Sequence, residues 1–249
     1  MSKINYEELN RLALDFRNRC FLNPYEAVNC EKLLLQLNVL ALFRPLSLYF
    51  SGMCEKRNGK RFMLINSNQI LNRQHFTIAH ELYHLFIQTE FKIHICNPDD
   101  NLHIKDIEEK KADIFAAALL MPELGIKQLI PVSELEQGIK LSTLFKLESY
   151  FSVSHAALLY RLKNLKLLSK EEVDKYNMIP IVKLAKMYGF DTKLYEPAQN
   201  EGLIIGDYAI LAKEKFDQNE ISEGHYIELL SEIGINVSIV TNEKDADNH

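Results

Sequence analysis

Residues 73–88 read Arg73-Gln74-His75-Phe76-Thr77-Ile78-Ala79-His80-Glu81-Leu82-Tyr83-His84-Leu85-Phe86-Ile87-Gln88, and the rest of the chain is read from this stretch. Apolar residues surround the polar ones and no glycine or proline interrupts them, which is what a largely buried helix carries. Inside it, His80-Glu81-Leu82-Tyr83-His84 matches HExxH. Residues four apart lie on one helix face about a turn apart, so two imidazoles can meet one tetrahedral ion, while Glu81 is turned by roughly 100° toward an open coordination position. A carboxylate there can take a proton from a metal-activated water, which makes Glu81 the candidate catalytic base.

Two histidines and a glutamate can fall into this spacing by chance, so the reading needs a third ligand. Glu109 offers one from the next predicted helix, 25 positions after His84, and Asp113 lies four residues on, hence on the same helical face. A carboxylate so placed can hold the second ring nitrogen of a ligating histidine. Glu109 also stands between Glu108 and Lys110, the setting of an ordinary solvated acid, so the residues alone leave both readings open. His75, His94 and His103 are the remaining candidates for a donor to a tetrahedral oxyanion. His94 and His103 fall in a polar connection that could border a cleft, where plain surface histidines are equally at home.

Outward from this centre the pattern is mostly helical. Leu9, Leu12, Ala13, Phe16 and Cys20 recur at helical spacing from Asn5 to Phe21, closed by Asn23-Pro24, and a second helix is expected over Tyr25 to Leu37. Short apolar runs at Val39 to Phe43, Leu46 to Phe50 and Arg61 to Asn66, parted by Pro45 and the turn Glu55 to Lys60, predict a small antiparallel sheet. Helices follow over Ile107 to Leu120, stopped by Met121-Pro122, then over Ser142 to Phe151, Ser154 to Asn164 and Lys170 to Tyr176, with Ser154 and Ser169 as N-caps. The tail from Ile179 to Ile233 reads as helices broken at Gly189, Pro197 and Gly206, with a terminal strand over Ile235 to Val240. The fold class is therefore α+β and mostly helical.

Composition narrows the function. With 47% hydrophobic and 25% charged residues the chain is globular, and its net charge of -5 argues against covering nucleic-acid phosphates. The four cysteines form no CxxC pair, which predicts reduced, buried thiols and no cysteine metal cluster. The polar start from Met1 to Phe16 and the lack of a long apolar run lead to the expectation of a cytoplasmic protein without a membrane span. One basic stretch stands out: from Ile139 to Lys170 there are six basic residues, Lys140, Lys146, Arg161, Lys163, Lys166 and Lys170, against Glu148 alone. It suits a helix-turn-helix module, a solvated face, or a dock for the acidic tail, where sixteen acids face seven bases from Glu171 onward.

The stretch from Arg73 to His84, followed by Glu109-Lys110-Lys111-Ala112-Asp113-Ile114-Phe115-Ala116-Ala117-Ala118-Leu119-Leu120-Met121-Pro122, resembles the ImmA/IrrE family of metallopeptidases. Its pattern runs R-x-x-F-T-x-A-H-E-x-x-H, then E-x-x-A-[ND]-x-F-A-x-x-L-L-M-P. The match spans about Phe50 to Pro122, with a weaker echo at Phe151 to Ser154 and at Arg161-Leu162, and nothing carries over beyond about Lys170.

The resemblance implies a gluzincin-like zinc metalloendopeptidase whose metal ligands fall on His80, His84 and Glu109 and whose catalytic glutamate falls on Glu81, with Mn2+ or Fe2+ as other metals the site could take. It also implies that the substrate is a helix-turn-helix transcriptional repressor of the XRE type, cleaved to relieve repression. Two departures are visible. Tyr83 stands where the family has Gly, and so could narrow the cleft, assist an oxyanion or simply pack, while Asp113 stands where many members have Asn and keeps the acceptor. The expected organisation is a zincin-like catalytic core over 1–130, a helical segment, helix-turn-helix-like, over 131–178, and an acidic region over 179–249. Two other functions stay open on the residues: a DNA- or partner-binding regulatory module, and a toxin–antitoxin component with a metal site.

Overall fold

The computed structural model describes residues 4–89 and 107–235, and the backbone of 94–96. Helix α1 (Tyr6–Arg19) and the short α2 (Cys30–Gln36) lead into β1 (Val39–Arg44), β2 (Gly52–Arg57) and β3 (Lys60–Asn66). Then come α3 (Leu71–Phe86), β4 (His94–Cys96) and α4 (Ile107–Leu120). The second half is α5 (Glu123–Leu129), α6 (Val132–Gln137), α7 (Leu141–Phe151), α8 (His155–Asn164), α9 (Lys170–Asn177) and α10 (Ile181–Met187). A two-residue β5 (Ile204–Ile205), α11 (Tyr208–Asp217) and α12 (Glu223–Glu232) close the described chain. The α+β, mostly helical class expected from the pattern is the class observed.

Local chemistry sets these boundaries. Asn5, Asn29, Ser154 and Ser169 each accept a hydrogen bond from a first-turn N–H of α1, α2, α8 and α9, and Ser169 with Glu172 forms a full capping box. Asn29 explains why α2 starts five residues later than Tyr25. The β2–β3 hairpin turns on Asn58 and Gly59, both at positive φ, the conformation that fits the twist of a two-residue hairpin.

The five strands form one sheet in the order β4-β2-β3-β1-β5. Its β2–β3 pair is antiparallel, as expected, but β1 runs parallel to β3 in the register Val39↔Arg61 to Arg44↔Asn66, so the sheet is mixed and not antiparallel throughout. Leu46 to Phe50 is also not a strand. The buried Asn66 side chain accepts from Leu46 N and donates to the carbonyls of Ser47 and Phe50, which holds that segment as a loop carrying the chain past β3. The strand begins at Gly52 instead, where a Cβ would lie 2.6 Å from Thr77 Cγ2 and 3.0 Å from Leu64 O. Only glycine lets β2 press this closely on α3.

From the tail, β5 pairs antiparallel with β1, Leu71 N donates to Glu196 O, and Asn200 and Gln74 exchange amide hydrogen bonds. The acidic region thus closes one sheet edge and braces the start of α3. Of the terminal strand expected over Ile235 to Val240, all but Ile235 lies outside the described residues.

Helix α4 packs against α1 and α3 with Phe115, Ala116, Leu119 and Leu120 fully buried. Its C-terminal carbonyls are satisfied by two buried arginines: Arg17 Nη1 donates to Leu119 O, and Arg161 Nε donates to Met121 O while its Nη1 reaches Asn10. Burial pushes both guanidinium groups down to about 10, and both still carry their charge at neutral pH, where cations favour a helix C-terminus. Arg161 is therefore spent inside the protein and leaves the basic stretch one exposed charge poorer. Replacing Arg161 with Met keeps the aliphatic stem but strands Met121 O, and we expect a loss of about 1–3 kcal/mol in urea denaturation. An unchanged midpoint would show that the carbonyl finds another donor.

Candidate metal centre

Helix α3 supplies two ring nitrogens and α4 one carboxylate. His80 and His84 are one turn apart, 2% and 1% exposed, and their Nε2 atoms approach to 3.2 Å. Glu109 Oε2 is 3.2 Å from His80 Nε2, and its Oε1 is 3.4 Å from His84 Nε2. The three donor atoms all lie within 4.8 Å of one another and form, among the described residues, a group that could hold a metal ion. Donors bound tetrahedrally at about 2.0–2.1 Å stand roughly 3.3–3.4 Å apart, so the observed edges suit zinc better than a larger cation such as calcium. Neutral imidazoles and a carboxylate are also the donor chemistry that zinc, manganese or iron accepts.

The other ring nitrogens orient the pair. His80 Nδ1 lies 3.0 Å from Asp113 Oδ1 and His84 Nδ1 lies 2.6 Å from Gln88 Oε1. Both partners are acceptors, so each Nδ1 carries the proton and each Nε2 faces the shared centre. Burial pushes the His80 imidazole down, but hydrogen bonds to Asp113 and Glu109 outweigh it, and the metal-free group is pushed up to about 10. A metal at Nε2 displaces that second proton. Asp113→Ala is expected to lower metal affinity by about 10–100-fold without unfolding the protein, as loss of a ligand-orienting group typically does. Calorimetric titration with zinc measures it, and unchanged affinity would reduce Asp113 to a surface acid.

Glu81 is fully buried on α3, close enough to β2 for its charge to act on the Cys54 thiol. Burial, followed by the charge of Glu81, raises the Cys54 thiol well above its ordinary range, so this cysteine stays protonated and is not a nucleophile. Cys20, Cys30 and Cys54 are all free and buried, as the cysteine spacing predicts.

The remaining candidates are dispersed. Tyr83 is 3% exposed, edge-on to His84 and packed on Phe115, and its hydroxyl donates to Glu108 Oε2 at 2.8 Å. Before serving an oxyanion it would have to leave that carboxylate. His75 Nδ1 faces Ser152 O at the α7–α8 turn, 3.2 Å away, a structural tie between α3 and that turn. The backbone of His94 lies in β4, paired opposite Cys54, and His103 lies outside the described residues.

Sequence reasoning missed Gln88 and Cys54. Gln88 had a signal, since it stands four residues after His84. Cys54 had none, because only the β2 register and the Gly52 contact carry it to α3.

A family model, Peptidase_M78, described as the IrrE N-terminal-like domain, matches residues 36–163, just over half of the chain, from the last residue of α2 to the penultimate residue of α8. Among curated proteins no relative matches.

Proposed function

Because the chain belongs to the Peptidase_M78 family, of which it carries the IrrE N-terminal-like domain, we propose that it is a zinc-dependent endopeptidase that cuts a helix-turn-helix transcriptional repressor of the XRE type and so relieves repression. The observation that carries the reading is the convergence of His80 Nε2, His84 Nε2 and the Glu109 carboxylate within 4.8 Å. These three residues would hold the metal, and zinc bound there supplies Lewis acidity toward water and a peptide carbonyl. Glu81 takes the proton from the attacking water and returns it to the leaving amine. Asp113 and Gln88 keep the two imidazoles in the tautomer that presents Nε2.

Choice of substrate has support outside the centre. Residues 164–249 lie beyond the family match, and their acidic tail, with the basic stretch before it, offers complementary fields for orienting a protein partner. Direct DNA binding is not part of the proposal, since the net charge is -5 and Arg161 is buried against Met121 and Asn10. Among the described residues no helix is long and apolar enough to cross a membrane.

The test is to incubate the zinc-loaded protein with the repressor encoded beside it and, separately, with casein, following both by mass spectrometry. A single cut in an exposed linker or loop of the repressor is expected, because a cleft protease threads such segments. Digestion of casein at many sites with the repressor left intact would leave a general metallopeptidase and remove the regulatory role.

A further inference from the structure

Beside the metal-ligand group, a cavity of about 880 Å³ opens between the first half of α3, α4 and α8. His80 and Asp113 form one end of its lining, and Phe76, Ile114, Ala157 and Tyr160 supply apolar wall. Its size falls in the upper part of the roughly 300–1,000 Å³ typical of ligand pockets, room for a short segment of extended chain and more than one side chain needs.

Two features say what fits. Asn72 lines the cavity and is only 1% exposed, yet neither its Nδ2 nor its Oδ1 has a hydrogen-bond partner among the described residues. A buried carboxamide left so is costly and calls for a group that donates and accepts together, as a peptide unit does. Independently, Arg73 and Lys110 stand at the exposed margin of the same lining, and no carboxylate among the described residues pairs with either side chain. The one acid in the lining, Asp113, is engaged with His80.

We propose that this cavity is the subsite receiving the substrate segment beside the scissile bond: the Asn72 carboxamide, closed off from the lumen in the free protein, turns to pair with a backbone peptide group, and an acidic side chain meets Arg73 and Lys110. The inference rests on the peptidase reading and adds a substrate class to it, namely acidic, extended peptide. Continuity of the cavity with His80 puts the bound segment next to the reacting centre, while the cations at the margin select its charge without touching the chemistry.

The experiment uses the full chain, zinc-loaded and carrying Glu81→Gln, immobilised and exposed to a synthetic peptide pool randomised over six central positions. Retained peptides are sequenced by mass spectrometry. Asp and Glu are expected to be enriched about fivefold or more over the pool, the effect of roughly one charge-assisted hydrogen bond. Arg73→Glu with Lys110→Glu should invert the enrichment toward Lys and Arg, and Asn72→Leu should weaken retention about fivefold while keeping the acid preference. Zinc content of each variant, unchanged, reports an intact fold.

Retention without acid enrichment, enrichment that survives the double charge reversal, or no retention at all would overturn the subsite. So would equal competition by a small free carboxylate such as citrate, which would make it a metabolite pocket. The peptidase reading is judged separately, by zinc-dependent hydrolysis in the parent protein and its loss in Glu81→Gln. Hydrolysis with no acid preference removes the subsite alone, and acid-selective binding with no hydrolysis removes the peptidase reading and the substrate role together.

Discussion

Glu81→Gln is expected to keep one zinc per chain and to lose hydrolysis of the repressor, with the cleavage rate falling by about 10²–10⁴-fold, the range a positioned acid–base group contributes. The substitution is nearly isosteric, so the packing of α3 beneath β2 stays. It removes the only property the proposal needs from this side chain, the capacity to accept a proton from water and pass it on. Burial does not by itself argue against the role, because Glu81 is one residue from His80 on the same helix turn and its charge acts on that imidazole. The amide fills the same buried space, so the packing survives and the proton acceptor does not. A single-turnover cleavage assay with metal content measured on the same sample separates the two. A variant that loses zinc as well would show Glu81 to be structural, and one that cleaves at the parent rate would remove it as the base.

The second large effect is on the metal itself. His80→Ala, His84→Ala and Glu109→Ala each take one donor from a three-residue group, and each should weaken zinc binding well beyond the roughly 10–100-fold expected when only an orienting partner such as Asp113 is lost. The contrast between Glu109→Ala and Asp113→Ala is the informative one. Both are carboxylates on α4 one turn apart and both bond His80, but Glu109 faces Nε2 there and reaches His84 Nε2 as well, whereas Asp113 faces Nδ1. Equal losses in the two would mean that Glu109 is not a ligand. Competition against a chromophoric chelator reads all four affinities on one scale.

The parts of this arrangement that were legible in the sequence are those with a strong local period. In α3 the i, i+4 spacing of His80 and His84 fixes their common face, and in α4 the same spacing sets Asp113 one turn from Glu109. Caps were equally legible, since Ser154 and Ser169 satisfy the first-turn N–H groups through their own side chains. What escaped was decided at a distance. The Leu46 to Phe50 run has strand composition, but the buried Asn66 amide, sixteen to twenty residues away, claims its backbone groups. The parallel β1–β3 pairing depends on where the β2–β3 hairpin folds back, which no residue of β1 encodes. Likewise β5 is two residues, Ile204 and Ile205, inside a tail whose composition reads as helix, and it is a strand because β1 offers it an edge.

Anomalous scattering at the zinc edge from crystals of the purified protein tests the central claim most directly. One strong peak is expected within bonding distance, about 2.0–2.2 Å, of His80 Nε2, His84 Nε2 and a Glu109 carboxylate oxygen. A peak held by other residues, or zinc-loaded crystals with no peak between α3 and α4, would contradict it.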